Sequence, residues 1–285
     1  MSRIVYVNGD YVPEEEAKIS VFDRGFLMAD AVYEVTSVLG GKLADWPGHC
    51  ARLARSLSEL KMAAPCSDDE LLEIHRELVE RNHLTEGLVY LQVTRGAADR
   101  DFAWPQDATP GLVLFTQDKP LEETKQAQTG ISVVPMEDLR WGRRDIKTTQ
   151  LLYPSFAKMA AKEQGADDAW LVGPDGMVNE GTSNNAYIVT REGTIVTRQL
   201  SNDLLHGITR ASVLELAREA QMKVEERPFS IEEAQGAAEA FITAASTFVC
   251  PVVKVDGVEL GEGVPGPVAK RLREIYIANA KAQSI

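Results

Sequence analysis

Basic residues are scarce beside acidic ones in this chain: 30 Lys and Arg stand against 43 Asp and Glu in 285 residues, a formal net charge of −13. Nucleic acids and anionic bilayer surfaces both require a basic face, so neither is expected as a partner. No apolar run approaches the roughly 20 residues that span a bilayer. Met1-Ser2-Arg3-Ile4-Val5-Tyr6 enters a strand pattern instead of a signal sequence, and a cytoplasmic protein is expected. Cysteine is also short. Cys50, Cys66 and Cys250 are an odd number with no CxxC pair, which suggests neither a disulfide framework nor a zinc cluster. The four histidines, His49, His75, His83 and His206, show no HxH or HExxH spacing and read as surface or boundary residues, so no metal is expected. Internal repeats and low-complexity tracts are missing as well.

What is present is ordinary soluble composition, 44% hydrophobic and 26% charged, in a chain long enough for two modest domains or one large one. Ile4 and Tyr6 alternate with Val5 and Val7 before Asn8-Gly9, which is a hairpin signal because this dipeptide tolerates the positive φ of a type I′ turn. Pro47 opens a helix with Leu53, Leu57 and Leu60 on one face, and a second helix follows from Ser67-Asp68-Asp69-Glu70. Leu88 to Thr94 and Gly111 to Thr116 read as strands, so the first part is an α+β domain. The polar, charged stretch from Gln117 to Gln126, broken by Pro120, is the linker candidate. Beyond it the chain reads as a strand from Ile131, a helix from Tyr153 to Gln164, and a hairpin turning at Pro174-Asp175-Gly176. Strands near Tyr187 and Thr194, a helix opening at Thr209, buried strands at Phe241 and Pro251, and a closing helix from Pro267 complete it.

Three short segments carry chemistry. Lys147 lies in Arg143-Arg144-Asp145-Ile146-Lys147-Thr148-Thr149-Gln150, and Glu180 in Asn179-Glu180-Gly181-Thr182-Ser183-Asn184-Asn185. A lysine able to form an imine with an aldehyde, and a carboxylate able to hold a pyridine nitrogen protonated, are the two groups a pyridoxal phosphate enzyme needs most. The third segment, His206-Gly207-Ile208-Thr209-Arg210, opens an amphipathic run and offers free N–H groups and a hydroxyl, which suit a phosphate. Taken singly, each has a plainer reading: a solvated lysine, a turn and an ordinary N-cap.

In this order, however, the segments closely resemble the fold type IV pyridoxal phosphate enzymes, the D-amino acid aminotransferases in particular. The similarity runs through Val5 to Gly9, Asp23-Arg24-Gly25-Phe26, Ala31 to Val35, His49-Cys50-Ala51-Arg52-Leu53, Val93-Thr94-Arg95-Gly96, Asp138-Leu139-Arg140-Trp141, Phe241-Ile242-Thr243 and Val255-Asp256-Gly257. It implies an α+β, two-domain fold: a small α/β N-terminal domain over residues 1–118, a linker at 119–127, and a larger, mostly β domain with helices over 128–285.

The resemblance also implies roles. Lys147 is the Schiff-base lysine and the base that moves the substrate α-proton; a nearby positive charge favours a neutral lysine, and Arg143 and Arg144 lie close in sequence, with their direction left open by the sequence. Glu180 faces the pyridine nitrogen, Arg52 with Ile208 and Thr209 holds the phosphate, and Leu205 packs on the cofactor ring. The family usually places a threonine close to Ala245, where this chain reads Thr243-Ala244-Ala245-Ser246-Thr247, and Ser246 offers an N–H or hydroxyl instead. Tyr33 and Arg100 take the substrate carboxylate. In the Arg-x-His segment of the family this chain reads Arg100-Asp101-Phe102, so a ring that cannot donate a hydrogen bond replaces the histidine.

The expected activity is therefore amino transfer between D-amino acids and 2-oxo acids by a ping-pong cycle with pyridoxal 5′-phosphate, in a homodimer. An (R)-amine transaminase, a branched-chain aminotransferase and an aminodeoxychorismate lyase are rivals within the same fold.

Overall fold

Asn8 and Gly9 take φ values of 51° and 112° in the computed structural model, the left-handed backbone that a two-residue hairpin turn demands. They join β1 (Ile4–Val7) to β2 (Asp10–Pro13) in antiparallel register. The structure describes residues 2–285. They fall into two compact units, one of residues up to Pro120 with Ile146–Gln150 and Ala280–Ile285, the other of Leu121–Asp145 and Leu151–Asn279.

The first unit continues with a short α1 (Arg24–Met28), whose first-turn N–H groups are capped by the Asp23 carboxylate, and the long β3 (Ala31–Leu39). Then come β4 (Lys42–Leu43), α2 (Trp46–Glu59), α3 (Asp68–Arg81), β5 (Glu86–Thr94) and β6 (Gly111–Asp118). In α3 the Ser67 hydroxyl accepts from Glu70 N at 3.2 Å, and acidic residues occupy the first turn where the helix dipole favours them. The six strands form one antiparallel sheet in the order β2-β1-β6-β5-β3-β4. Strand alternation sends Val32, Val89, Leu91 and Leu114 into a core shared with Leu53, Leu57, Ile74 and Leu78 of the two helices. Tyr33, next to Val32 in the strand, is consequently turned to the other face.

β4 pairs only with Val38 and Leu39, leaving the first half of the outer edge of β3 open. Residues 147–149 take that edge. Tyr33 N donates to Lys147 O at 2.9 Å, Thr149 N donates to Ala31 O at 3.1 Å, and Val32 forms an antiparallel bridge with Thr148. The C-terminal Ile285 similarly exchanges two backbone bonds with Leu43.

The second unit contains α4 (Lys125–Thr129), β7 (Ile131–Glu137), α5 (Leu152–Glu163), β8 (Asp168–Val172), β9 (Val178–Gly181), β10 (Asn185–Val189) and β11 (Ile195–Thr197). It goes on through α6 (Ile208–Glu219), β12 (Val224–Glu226), α7 (Ile231–Gln235), β13 (Glu239–Ala244), β14 (Phe248–Val255), β15 (Val258–Glu259) and α8 (Pro267–Gln283), whose end from Ala280 onward belongs to the first unit. Eight of the strands run β12-β11-β10-β13-β14-β7-β8-β9, with β15 added on β14. The sheet is mixed, parallel at β11/β12, β14/β7 and β7/β8 and antiparallel elsewhere. Strands β8 to β11 and β13 are almost wholly buried, which explains the continuous apolar runs of β8, β10, β11 and β13 in place of alternation.

The stretch after β6 is more ordered than its polar composition suggests. Leu121 is fully buried, its carbonyl accepts from Arg273, and the Thr124 hydroxyl caps α4 by accepting from Ala127 N at 3.1 Å. Among the described residues no helix is long and apolar enough to cross a membrane.

Gly96 closes the base of the loop between β5 and β6 at φ +100°, where an added Cβ would stand 2.0 Å from the Thr109 carbonyl oxygen. Gly96→Ala is expected to lower stability by on the order of 1–3 kcal/mol, because backbone contact and backbone conformation both oppose it. An unchanged urea midpoint would refute this account of the loop.

Candidate active site

Lys147 owes its place to the strand edge it completes. Its backbone is tied to Tyr33, and its half-buried side chain lays Nζ 4.3 Å from the centroid of the Tyr33 ring. That ring is held in turn: Tyr33 stacks on Tyr90 at 5.6 Å and Tyr90 on Phe115 at 4.8 Å, an aromatic row across β3, β5 and β6. The Tyr90 hydroxyl is anchored on Gln92 Oε1 at 2.9 Å.

On the helix-covered face, Glu34 and Arg52 meet in a buried pair. Arg52 Nε and Nη2 form a fork on the two Glu34 oxygens at 2.8 and 2.6 Å, and His49 Nδ1 lies 2.7 Å from Oε2. His49 and Arg52 are one helical turn apart on α2, so both reach the same carboxylate. Burial alone would raise the Glu34 carboxyl, but the Arg52 guanidinium and the bond to His49 pull it down to about 2. His49 and His75, expected at surface or boundary positions, are both buried. His75 bonds the Leu71 carbonyl through Nδ1 and packs edge-on against Trp46, and burial pushes its imidazole down to about 4, which keeps it neutral.

In the second unit Glu180 is buried at the end of β9. Its Oε1 accepts from Arg140 Nη1 at 2.6 Å, and its Oε2 accepts from Asn185 Nδ2 and Leu205 N, each at 3.1 Å. Burial pushes its carboxyl above the ordinary range, against the pull of the Arg140 guanidinium. All three of its partners are N–H donors, the set an ionised carboxylate accepts. Asp168, also buried, takes the Thr182 hydroxyl at 2.6 Å and Asn184 Nδ2 at 2.7 Å, which ties down the turn that follows Glu180.

Leu205 leads directly into α6. Gly207 is its N-cap, without a side-chain cap bond, and Ala211 N is the donor that reaches the Gly207 carbonyl. The N–H groups of Ile208 and Thr209 precede any intrahelical acceptor, and the buried Thr209 hydroxyl stands beside them. An added Cβ at Gly207 would lie 2.1 Å from Asn185 Oδ1, so glycine is required for this helix start to approach the Asn185 amide. Ser246 occupies the turn between β13 and β14, braced by Arg273, which donates to Thr247 O at 2.7 Å and Val249 O at 2.8 Å.

Arg100 and Phe102 belong to the exposed β5–β6 loop. Phe102 is 79% exposed, and the Arg100 guanidinium sits 5.5 Å from its ring centroid. The loop is anchored through the Asp101 carbonyl, which accepts from the buried Arg24 at 2.7 Å. Arg143 forks on Asp145 at 2.9 and 3.0 Å, and Arg144 pairs with Asp203 at 3.0 Å and with Asp138 at 3.3 Å, so each of these positive charges is compensated by a carboxylate.

Against this geometry the comparisons with known proteins are direct. The profile of the amino-transferase class IV family matches residues 31–255. D-alanine aminotransferase of Staphylococcus aureus (strain MSSA476) is 34% identical over 284 residues, 99% of each chain, and that of Bacillus licheniformis is 37% identical over 270 residues, 94% of each. The chain belongs to the class IV aminotransferases. A branched-chain amino acid aminotransferase of Escherichia coli shares the fold at a TM-score of 0.91 and 23% identity, covering 100% of this chain and 97% of its own. A branched-chain amino acid aminotransferase of T.th., solved with pyridoxamine 5′-phosphate, matches at 0.91 and 26%, covering 99% and 95%.

For a class IV aminotransferase, the residues missed in the sequence are those that hold the recognised ones. Glu34 and His49 secure Arg52, Arg140 and Asn185 secure Glu180, and Asp168 secures the turn after it. Glu34 and His49 sit inside segments that already carried the resemblance, and the His49–Arg52 helical spacing was the available signal. Nothing in the sequence joined Arg140 to Glu180, 40 residues apart.

The Glu34 carboxyl sits below its unfolded value of about 4.3, so its stabilisation is complete above that pH and is lost as the pH falls toward 2. A shift of about two units is on the order of 3 kcal/mol. Glu34→Gln should flatten the acid limb of the stability profile between roughly pH 4.5 and 2, and an unaltered limb in denaturant titrations would show that the carboxylate is not held as described.

Proposed function

We propose that this class IV aminotransferase is a pyridoxal 5′-phosphate-dependent D-amino acid:2-oxo acid aminotransferase of the D-alanine type. Near full-length identity of 34–37% to D-alanine aminotransferases carries the reading. The residues present suit the cofactor. An uncapped helix start with a hydroxyl suits a phosphate, a buried carboxylate suits a protonated ring nitrogen, and a lysine side chain whose backbone is locked suits an aldehyde carbon.

When bound, the cofactor supplies the aldehyde that takes up the amino group and an electron-poor ring that withdraws electrons from the α-carbon. Lys147 holds the cofactor and moves the α-proton at Nζ, and the Tyr33 ring orients that side chain. Glu180 holds a proton at the ring nitrogen, and Leu205, whose N–H Glu180 accepts, packs on the ring. Ile208 and Thr209 present N–H groups and a hydroxyl to the phosphate, Ser246 adds a polar contact, and Arg52 reaches it with a guanidinium already oriented by Glu34. Tyr33 and Arg100 take the substrate carboxylate, while Phe102 contributes bulk without a donor. That missing donor favours a second reading, an (R)-amine transaminase, for which a carboxylate grip is superfluous.

We also propose a homodimer. α5 exposes Leu152, Phe156 and Met159 one turn apart, and the first unit exposes Phe22, Phe26, Phe102 and Trp104, apolar surface of the kind that subunit contacts cover. Light scattering of the purified protein tests this, and a monomer at micromolar concentration contradicts it. The free thiols Cys50, Cys66 and Cys250 suit a reducing compartment, and we place the enzyme in the cytoplasm.

Turnover of D-alanine, L-leucine and (R)-1-phenylethylamine with 2-oxoglutarate separates the readings, with D-alanine expected to be the best donor. Lys147→Ala should fold normally yet abolish transamination and borohydride trapping of the cofactor; near-normal turnover would sink the lysine's role. Arg100 is exposed, so its ion pair with substrate is water-screened and contributes about 1 kcal/mol, more where a partner subunit covers it. Arg100→Ala should therefore lower kcat/KM for D-alanine at least about fivefold and leave the amine unaffected. Equal losses for both substrates would make the arginine structural.

A further inference from the structure

Arg140 is a largely covered guanidinium shared by two carboxylates. Its Nε and Nη2 fork on Asp138 at 2.9 and 2.7 Å, and its Nη1 reaches Glu180 Oε1 at 2.6 Å. Asp138 has further support, from Asn179 Nδ2 at 2.9 Å and Arg144 Nε at 3.3 Å, whereas Glu180 has one bonded cation among the described residues, and that cation is Arg140. The other two donors to Glu180, Asn185 Nδ2 and Leu205 N, are uncharged amides. A buried carboxylate left with amide donors alone tends to take up a proton, because desolvation disfavours the charge more than two neutral hydrogen bonds restore it. A neutral Glu180 would no longer hold a positive charge at a ring nitrogen.

We propose that Arg140 is a positioning residue of the transamination chemistry: it keeps Glu180 ionised and fixes its orientation, while Asp138 clamps the guanidinium and competes for its charge. The proposal rests on the reading of Glu180 as the carboxylate that faces the cofactor's ring nitrogen. It makes Asp138 a tuning group. Every unit of Arg140 charge that Asp138 neutralises is withdrawn from Glu180, and Asn179 and Arg144 set how much Asp138 demands. The charged groups facing Glu180 are thus Arg140 directly and Asp138 behind it, with Arg144 on the far side of Asp138.

The protonation state of Glu180 can be read without turnover. In cofactor-free protein near pH 7, infrared difference spectra of Arg140→Met should show the C=O stretch of a protonated carboxyl that is missing from wild type and from Arg140→Met/Glu180→Gln. Absence of that band from Arg140→Met overturns the proposal. Should Arg140→Met fail to fold, Arg140→Lys carries the test: it keeps the charge and loses the fork, so the band's titration midpoint is expected above the wild-type value, and an unchanged midpoint overturns the proposal. Asp138→Asn should move the midpoint the other way, and no movement again counts against it. In the loaded enzyme, kcat of Arg140→Met/Glu180→Gln should match Glu180→Gln within about twofold, since one residue acts through the other, and multiplied losses would separate them. A Glu180→Gln enzyme with unaltered kcat would instead refute the ring-nitrogen reading and leave the infrared result standing.

Discussion

A carboxylate removed from water must be given a cation, and each unit of this protein meets that constraint in its own way. In the first unit Glu34, lying under two helices, is gripped by both arms of the Arg52 fork and by His49. In the second, Glu180 and Asp138 divide one guanidinium between them. Breaking such a pair by removing one partner strands a buried charge, which is far more damaging than the pair is stabilising. The pairs therefore serve less to hold the fold together than to fix the charge and direction of Arg52 and Glu180.

The two pairs end in different electrostatic states for a physical reason. Glu34 receives two charge-assisted bonds from one arginine and a third from an imidazole, enough to overcome burial and bring it down to about 2. Glu180 receives a single bond from an arginine already forked on Asp138, and burial prevails, raising its carboxyl. A carboxylate that only has to anchor an arginine gains from being permanently ionised.

Backbone edges do for Lys147 what ion pairs do for the acids. An extended segment as short as 147–149 has little stability alone, and it is ordered because β4 pairs only with Val38 and Leu39 and leaves N–H and C=O groups of the first half of β3 for it to bond. The same bonds set the lysine beside Tyr33, whose ring is already stacked on Tyr90. The loop proposed to meet the substrate is less tightly built. Arg100 and Phe102 stand on an exposed loop, anchored at Gly96 and through Arg24, and a loop of that kind can change its specificity without disturbing the sheet beneath.

Much of this was legible in the chain before it folds. The Asn8-Gly9 hairpin, the Ser67 cap and the Pro47 helix start are local events, settled by the φ preferences and hydrogen bonds of a few neighbouring residues. Lys147, Glu180 and the Gly207-Ile208-Thr209 segment stood out because, in that order, they resemble the segments of a known enzyme family. The burial of His49 and His75, the order within the stretch after β6, and the strand-edge docking of Lys147 were not readable, since each depends on residues distant in the chain. The amino-acid sequence by itself determined which groups are available for chemistry and which turns and helices carry them. Tertiary structure alone decided which cation faces which carboxylate, because the electrostatics of a buried charge depend on neighbours that a linear chain does not bring together until it folds.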